Sequence, residues 1–151
     1  MNIGDTLPAL TLANADGEAV ALADLPRPLV VYFYPKADTP GCTTEAQNFS
    51  AAAADFAKAG VTIVGISKDK VAKLAKFRDK YGLGVTLLSD EDGAACEAFG
   101  TWIEKKLYGR EYMGIDRATF LFGKDGKLVR AWHKVKVKGH AAEVLGAAQA
   151  L

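Results

Sequence analysis

Two segments of the chain are apolar at nearly every position, and each is followed by a stretch in which apolar residues recur at helical spacing. Residues 29–34 lie between two prolines and read Leu-Val-Val-Tyr-Phe-Tyr, which is typical of a strand buried on both faces in the middle of a sheet. Residues 43–58 follow and predict a helix that ends at Gly60. Residues 61–66 and 69–81 repeat the strand and the helix. This order predicts parallel strands joined by right-handed crossovers.

The rest of the chain extends this pattern at both ends. Ahead of the first buried strand, apolar residues alternate on either side of a turn at 14–17, which predicts a β-hairpin. The remaining elements are predicted, in chain order, as a strand over 85–89, a short helix over 90–99, a hairpin of strands 118–122 and 127–132, and an amphipathic helix over 140–151. Residues 100–116 lack clear periodicity and are predicted to form a long loop, a type of segment that often carries function.

Length and composition favour a single α/β domain over residues 1–151. Half of the residues are hydrophobic and a quarter are charged, so neither a disordered nor a fibrous protein is expected. The formal net charge of +1 gives no overall attraction to nucleic acid or to an acidic membrane. No apolar run is long enough to span a bilayer, and residues 1–10 lack the pattern of a signal peptide. We therefore expect a cytoplasmic protein.

Cys42 and Cys96 are the two cysteines of the chain, too few for a disulfide framework. Cys42 falls where a buried strand gives way to a helix, and there the unpaired backbone N–H groups and the helix dipole favour negative charge. A free thiol is mostly protonated at neutral pH, so this placement favours a nucleophilic thiolate. By position alone, a small packed hydrophobic residue is an equally good interpretation. Glu45, in the same helical turn, is explained by the dipole and is not counted as catalytic.

The residues around Cys42 decide between these two interpretations. Pro35, Thr39 and Cys42 form a PxxxTxxC pattern within residues 34–45, Tyr-Pro-Lys-Ala-Asp-Thr-Pro-Gly-Cys-Thr-Thr-Glu. This segment resembles the active-site signature of the peroxiredoxins, in particular of the subgroup named bacterioferritin comigratory protein, or Q type. Further segments that match the family run along nearly the whole chain: Gly4-Asp5, Asp16-Gly17, 87–90, Tyr108-Gly109, 112–120 and 134–140.

The resemblance implies a thioredoxin-like fold, with a central mixed β-sheet flanked by helices, and a thiol-dependent peroxidase. Cys42 would be the peroxidatic cysteine, which attacks a hydroperoxide and becomes a sulfenic acid. Thr39 matches the threonine that hydrogen-bonds the peroxide, Arg117 the arginine that stabilises the thiolate, and Pro35 the proline that shields the site. Splitting an O–O bond needs a thiolate and donors aimed at the oxygens that gain charge. Without the resemblance, Arg117 would be interpreted as a surface residue in a salt bridge.

Regeneration of the thiol is the step where the sequence departs from the family pattern. A sulfenic acid is reduced by a second cysteine or by an outside thiol. In the Q-type subgroup a resolving cysteine, when present, lies five residues after the peroxidatic one or in the following helix, and here Gln47 and Arg78 occupy those positions. We interpret Cys96 as a packed, inert thiol. The sequence therefore predicts a mechanism with one cysteine and with thioredoxin, glutaredoxin or a small thiol as the reductant. It also predicts no cofactor and a monomeric protein.

Other functions are weighed against the same residues. A thioredoxin-type reductase needs a CxxC pair, but Glu45 stands three residues after Cys42. A metal site of Cys42, Cys96, His133 and His140 lacks a closely spaced ligand pair, and a Cys/His hydrolase lacks a histidine beside Cys42. The alternative that stays open is a redox-responsive chaperone or interaction module that uses Cys42 oxidation as a switch. Peroxide consumption beyond one equivalent would favour the enzyme.

Overall fold

The protein is built around a seven-stranded mixed β-sheet, in a computed structural model that describes residues 1–151. The strands are β1 (Thr11–Asn14), β2 (Ala19–Ala21), β3 (Leu29–Phe33), β4 (Thr62–Ser67), β5 (Thr86–Ser89), β6 (Trp102–Leu107), β7 (Arg110–Ile115), β8 (Ala118–Phe122) and β9 (Leu128–Trp132). The helices are α1 (Pro40–Ala51), α2 (Ala53–Lys58), α3 (Val71–Tyr81), α4 (Ala94–Phe99) and α5 (His140–Gln149). The order in the large sheet is β2-β1-β5-β4-β3-β8-β9, and β6 with β7 forms a separate two-stranded sheet.

The middle of the large sheet is parallel and its margins are antiparallel. β4 pairs in parallel with β3 and with β5, while β1 and β8 run antiparallel to their neighbours β5 and β3. The mixed sheet and the N-terminal hairpin of β1 and β2 are thus confirmed. Because successive residues of a strand point to opposite faces, β3 supplies Val30 and Tyr32 to one apolar cluster, and Val31 and Phe33 to another. Helices α1, α2, α3 and α5 cover the first cluster, and α4 covers the second.

The largest differences between the predicted and the observed helices concern α1 with α2, and α4. The helix predicted for residues 43–58 is two helices separated at Ala52, and the first of them already begins at Pro40. Proline suits a first helical turn because its ring fixes φ and its missing N–H would have no partner there. Helix α4 begins at Ala94 rather than at 90, since the Asp90 carboxylate lies outside the helix and accepts hydrogen bonds from two backbone N–H groups of its first turn. None of the helices combines the length and the apolar character needed to cross a membrane.

The prediction of a long loop over residues 100–116 is wrong, because β6 and β7 form an antiparallel hairpin there. Its two turn residues, Tyr108 and Gly109, have φ values of 52° and 77°. Positive φ at both positions defines a type I′ turn, whose twist matches that of the strands it joins. Most side chains on both faces of the hairpin are exposed or half-buried, so the alternation that marks a half-buried strand is missing. Asp116 and Arg117 connect the base of the hairpin to β8.

Candidate active site

Cys42 is the third residue of α1, and only 2% of its surface is exposed. The first turn of a helix presents unpaired N–H groups and the positive end of the helix dipole. A second positive group reaches the sulfur from elsewhere in the chain, since Nη2 of Arg117 donates a hydrogen bond to Cys42 Sγ at 3.3 Å. Both features favour negative charge on the sulfur. The structure therefore joins two of the residues that the sequence singled out, although they lie far apart along the chain.

The antiparallel pairing of β3 with β8 brings Arg117 to this position. Phe33, at the end of β3, lies opposite Ala118, the first residue of β8. Arg117 therefore stands beside the point where the chain leaves β3 for α1. A Cβ on Gly41 would lie 3.3 Å from Arg117 Nη2, so the glycine gives the guanidinium close access to the first turn. The other terminal nitrogen, Nη1, donates to Glu45 Oε1 at 2.8 Å.

Glu45 is a residue of the site that the sequence analysis set aside. Its side chain is 2% exposed and forms an ion pair with Arg117. Burial raises the pKa of Glu45 from 4.5 to about 7, and the charge and hydrogen bond of Arg117 oppose that rise. The helix dipole explains an acid in this turn, but it does not explain a buried one. The available signal was the three-residue spacing from Cys42, which places both side chains on one face of the helix.

Thr39 and Pro35 lie in the loop between β3 and α1, and both are half-buried. Thr39 is the N-cap of α1, but its hydroxyl donates to the Lys36 carbonyl at 2.8 Å instead of capping a helical N–H group. Because the hydroxyl proton is engaged, the oxygen keeps lone pairs for a substrate O–H. Neither side chain hydrogen-bonds Cys42. The structure thus places Thr39 at the helix start, and the roles of Thr39 toward the peroxide and of Pro35 as a shield stay predictions.

Two side chains near α3 hold this loop in place. The backbone N–H of Ala37 donates to Asp69 Oδ2 at 2.7 Å. Asp38 has a φ of 60°, an uncommon value for a residue other than glycine, and its carboxylate accepts a hydrogen bond of 2.6 Å from the Tyr81 hydroxyl. That bond, together with a bond from Lys80, lowers the pKa of Asp38. The loop that carries Thr39 is therefore fixed at two successive residues.

Aromatic rings form the floor beneath α1. Tyr32 of β3 is fully buried and stacks on Phe49 of α1, with ring centroids 4.7 Å apart. A Cβ on Gly65 of the neighbouring strand β4 would lie 2.5 Å from Tyr32 Cζ, so only glycine leaves room for this ring. The Tyr32 and Tyr34 hydroxyls and Glu45 Oε2 are buried without a hydrogen-bond partner. Burial is the main reason that the pKa of Tyr32 is raised well above its ordinary value.

Cys96 lies on the other face of the sheet. Cys42 packs in the cluster that contains Tyr32, whereas Cys96 packs in the cluster that contains Phe33. Cys96 is fully buried, and burial, followed by the neighbouring Asp90, raises the pKa of its thiol to about 12. The body of the sheet thus separates the two sulfur atoms, and Cys96 has the surroundings of the inert thiol that the sequence predicts.

The other residues considered from the sequence have separate partners. Gln47 is exposed on α1, and Arg78 of α3 forms an ion pair of 2.8 Å with Asp16 in the N-terminal hairpin. His133 Nδ1 lies 3.0 Å from Asp116 Oδ2, and His140 Nε2 lies 2.8 Å from the Thr119 hydroxyl. No group of three or more His, Cys, Asp or Glu side chains is placed to hold a metal ion.

Comparison of the sequence with known proteins gives a consistent family. The profile of the AhpC/TSA family matches residues 3–131. The chain is 47% identical over 146 residues to peroxiredoxin Bcp of Bacillus subtilis, and the alignment covers 96% of this chain and 93% of the relative. It is 44% identical over 146 residues to peroxiredoxin Bcp of Escherichia coli, with coverage of 96% and 94%.

Comparison with solved structures leads to the same family as the sequence comparison. Bacterioferritin comigratory protein of Xanthomonas campestris, studied for its alkyl peroxide reduction activity, superposes with a TM-score of 0.89 at 43% identity, over 97% of this chain and 98% of that one. A cysteine-to-serine mutant of PrxQ from Xylella fastidiosa gives a TM-score of 0.94 at 40% identity, over 99% and 96% of the two chains. The thioredoxin-like peroxiredoxin fold is therefore confirmed. The chain belongs to the AhpC/TSA family and, within it, to the Bcp or Q-type peroxiredoxins, which are thiol-dependent peroxidases.

Proposed function

We propose that this peroxidase reduces hydrogen peroxide and organic hydroperoxides at Cys42. The observation that carries the proposal is the 3.3 Å hydrogen bond from Arg117 to the sulfur of a cysteine in the first turn of a helix. A permanently charged guanidinium and a helix start at one sulfur atom favour the thiolate, which is the nucleophilic form of cysteine. The alkyl peroxide reduction studied in the Xanthomonas campestris relative supports the inclusion of organic hydroperoxides.

In the first step the Cys42 thiolate attacks the terminal oxygen of the hydroperoxide. An S–O bond forms and the O–O bond breaks, so that the sulfur is oxidised to a sulfenic acid and the other oxygen leaves as an alkoxide or hydroxide, which then takes up a proton. Arg117 lies where the negative charge moves, and a fixed donor at such a place stabilises the transition state. Thr39 is assigned to accept a hydrogen bond from the peroxide O–H, because its own proton is bound to Lys36. Pro35 is assigned to shield the site from water.

We propose that an outside thiol regenerates Cys42. A first thiol condenses with the sulfenic acid to give a mixed disulfide and water, and a second thiol then releases Cys42. Two observations support this route over a disulfide with Cys96: the two cysteines pack on opposite faces of the sheet, and burial raises the pKa of Cys96 to about 12. Arg78, at one of the positions where a resolving cysteine is expected, is engaged in an ion pair with Asp16.

A catalytic role is favoured over the redox-switch alternative by the relatives named peroxiredoxins. Thioredoxin and glutaredoxin stay the predicted classes of protein reductant. A monomer, a cytoplasmic location and a single domain over residues 1–151 stay predictions.

Intact mass spectrometry after one equivalent of hydrogen peroxide tests the proposal, with and without a sulfenic-acid trap such as dimedone. We expect a gain of one oxygen, or of one trap molecule, which peptide mapping places on Cys42. With excess dithiothreitol, peroxide consumption should continue well beyond one equivalent. Loss of two hydrogens through a Cys42–Cys96 disulfide would overturn the one-cysteine route. Consumption that stops at one equivalent in the presence of thiol would favour the switch.

A further inference from the structure

Asp38 adopts a left-handed backbone conformation in the loop that leads into α1, with a φ of 60°. Residues other than glycine seldom adopt this conformation, because it brings Cβ close to the following carbonyl oxygen. Asp38 directly precedes Thr39, which is the N-cap of the helix that carries Cys42. A change of φ at Asp38 would therefore turn the chain immediately ahead of the active-site helix.

The carboxylate of Asp38 is held by Tyr81, the last residue of α3. The Tyr81 hydroxyl donates a hydrogen bond of 2.6 Å to Asp38 Oδ1. Its ring is half-buried against the apolar cluster beneath α1 and packs edge-on to Phe77, with centroids 5.7 Å apart. Lys80 adds an ion pair of 3.1 Å to the same carboxylate, but its side chain is 60% exposed, so this pair contributes little. Tyr81 is thus the rigid partner of Asp38.

The bond from Tyr81 acts on the same short turn as two hydrogen bonds of Thr39. The Thr39 hydroxyl donates to the Lys36 carbonyl at 2.8 Å, and this bond closes a turn that contains Asp38. The Thr39 carbonyl accepts the Thr43 N–H at 2.8 Å in the first turn of α1. Because Asp38 lies inside that turn, its backbone sets the direction of the Thr39 hydroxyl. Misplacement of a group that orients a substrate by about 1 Å can lower a reaction rate strongly.

We propose that Tyr81 is a positioning residue of the peroxidase reaction. Its hydroxyl holds Asp38 in the left-handed conformation, and this conformation directs the Thr39 hydroxyl toward a hydroperoxide at Cys42. The inference rests on the proposed function, in which Thr39 accepts a hydrogen bond from the peroxide O–H. Tyr81 hydrogen-bonds neither Thr39 nor Cys42, so it acts through the backbone of Asp38 alone.

The first test compares two reactions of Cys42 in the full-length Tyr81→Phe variant, which loses only the hydroxyl and keeps the ring. The rate of Cys42 oxidation by hydrogen peroxide should fall about three- to tenfold. Alkylation of Cys42 by iodoacetamide does not use Thr39, so its rate should stay within about twofold of the parent rate. Tyr108→Phe is the matched control, because Tyr108 is 95% exposed in the β6–β7 turn, and it should leave both rates unchanged.

The backbone of Asp38 gives a second test. Asp38→Ala and Asp38→Gly both remove the carboxylate that Tyr81 binds, but glycine reaches a φ of 60° without the strain of a Cβ. We expect peroxide oxidation to fall about tenfold in Asp38→Ala and only about two- to threefold in Asp38→Gly. Adding Tyr81→Phe to Asp38→Gly should change the rate no further, because the bond is already absent. Equal losses in the alanine and glycine variants would contradict the proposal.

A measurement without peroxide separates this inference from the proposed function. Hydrogen exchange of the Thr43 amide, followed by NMR, should be about three- to tenfold faster in Tyr81→Phe, because the Thr39 carbonyl that it bonds is held less firmly. Unchanged exchange would overturn the proposal, and so would an oxidation rate equal to that of Tyr108→Phe or an equal fall in oxidation and alkylation. A parent protein that reacts with peroxide no faster than free cysteine, but shows the exchange difference, would refute the proposed function alone.

Discussion

Cys42 and Cys96 are the same residue in nearly the same local position, and the difference between them lies in the charges that the fold brings to each. Each is the third residue of a helix, and each is almost completely buried. Cys42 receives a hydrogen bond from the Arg117 guanidinium, whereas Cys96 lies beside the Asp90 carboxylate. A helix start therefore does not identify a reactive thiol by itself. The sign of the nearest charge, supplied by another part of the chain, distinguishes the two.

The largest effect should come from replacing one cysteine or the other with serine. Cys42→Ser should lower thiol-dependent peroxide consumption by about 10³-fold or more, because no other nucleophile takes over the covalent step. Cys96→Ser should leave turnover with dithiothreitol within about twofold of the parent rate. Continuous measurement of hydrogen peroxide gives both numbers. A loss of turnover in a folded Cys96→Ser variant would restore Cys96 as a participant.

Arg117→Lys tests whether the geometry of the cation at Cys42 matters as well as its charge. Lysine keeps the charge but cannot bond the sulfur and Glu45 through two nitrogens of one planar group. We expect the rate of Cys42 oxidation by hydrogen peroxide to fall about 10²-fold. Arg130→Lys is the control, because Arg130 pairs with Glu143 on the surface. A rate for Arg117→Lys equal to that of the control would show that charge alone is sufficient.

The titration of Glu45, which lies beside Cys42 on α1, should make the free energy of unfolding depend on pH. The folded pKa of Glu45 is raised from 4.5 to about 7, so the folded state holds its proton more tightly than the unfolded state does. This stabilisation is fully present below pH 4.5 and is lost as the pH rises through 7. Relative to Glu45→Gln, the parent protein should lose up to about 3 kcal/mol of unfolding free energy across this window.

Urea unfolding of the two proteins at several pH values measures this difference. Glu143→Gln is the matched control, since Glu143 is half-exposed and pairs with Arg130. Its difference from the parent should stay nearly flat over the same window. A flat difference for Glu45→Gln would mean that Arg117 keeps the carboxylate ionised throughout, and that burial does not govern its titration.

The smallest effect on reactivity is expected on the Cys96 side. Asp90→Asn removes the negative charge near Cys96, but burial is the larger cause of the raised pKa of that thiol. Alkylation of Cys96 in the folded protein should therefore stay slow. The variant should lose about 1 to 2 kcal/mol of stability, because the carboxylate accepts two backbone N–H groups of α4. If Cys96 in this variant reacts nearly as fast as Cys42, neighbouring charge outweighs burial.

The parts of the fold that follow from local pattern are the buried strands and the helices after them. The apolar run at 29–34 and the turn residues after it predict β3 and a helix that follows it, and the structure has both, although α1 begins at Pro40 rather than at 43. The hairpin of β6 and β7 escapes prediction because both of its faces meet solvent, so its residues show no period. Its turn also carries tyrosine at a position where asparagine or aspartate is the usual signal.

Some residues of the site can be predicted from local sequence, and others depend on strand pairing. The PxxxTxxC pattern is local, and it identifies Cys42 and Thr39 correctly as residues of one helix start. The contact with Arg117 depends on the pairing of β3 with β8, two strands separated by most of the chain, and no spacing rule gives it. Glu45 has a local explanation that is incomplete, since its burial against Arg117 is visible only after the fold is known.

The packing beneath the helix that carries Cys42 depends in part on Gly65, which has no Cβ. The Tyr32 ring fills the space that a side chain at Gly65 would take, and the same ring supports Phe49 on the helix that carries Cys42. A methyl group at Gly65 would lie 2.5 Å from Tyr32 Cζ, which is too close for two carbon atoms, so the ring or the strand would have to move. Gly65 carries no reactive group, yet its position tolerates no larger residue, because the Tyr32 ring beneath the active-site helix occupies the space of a side chain.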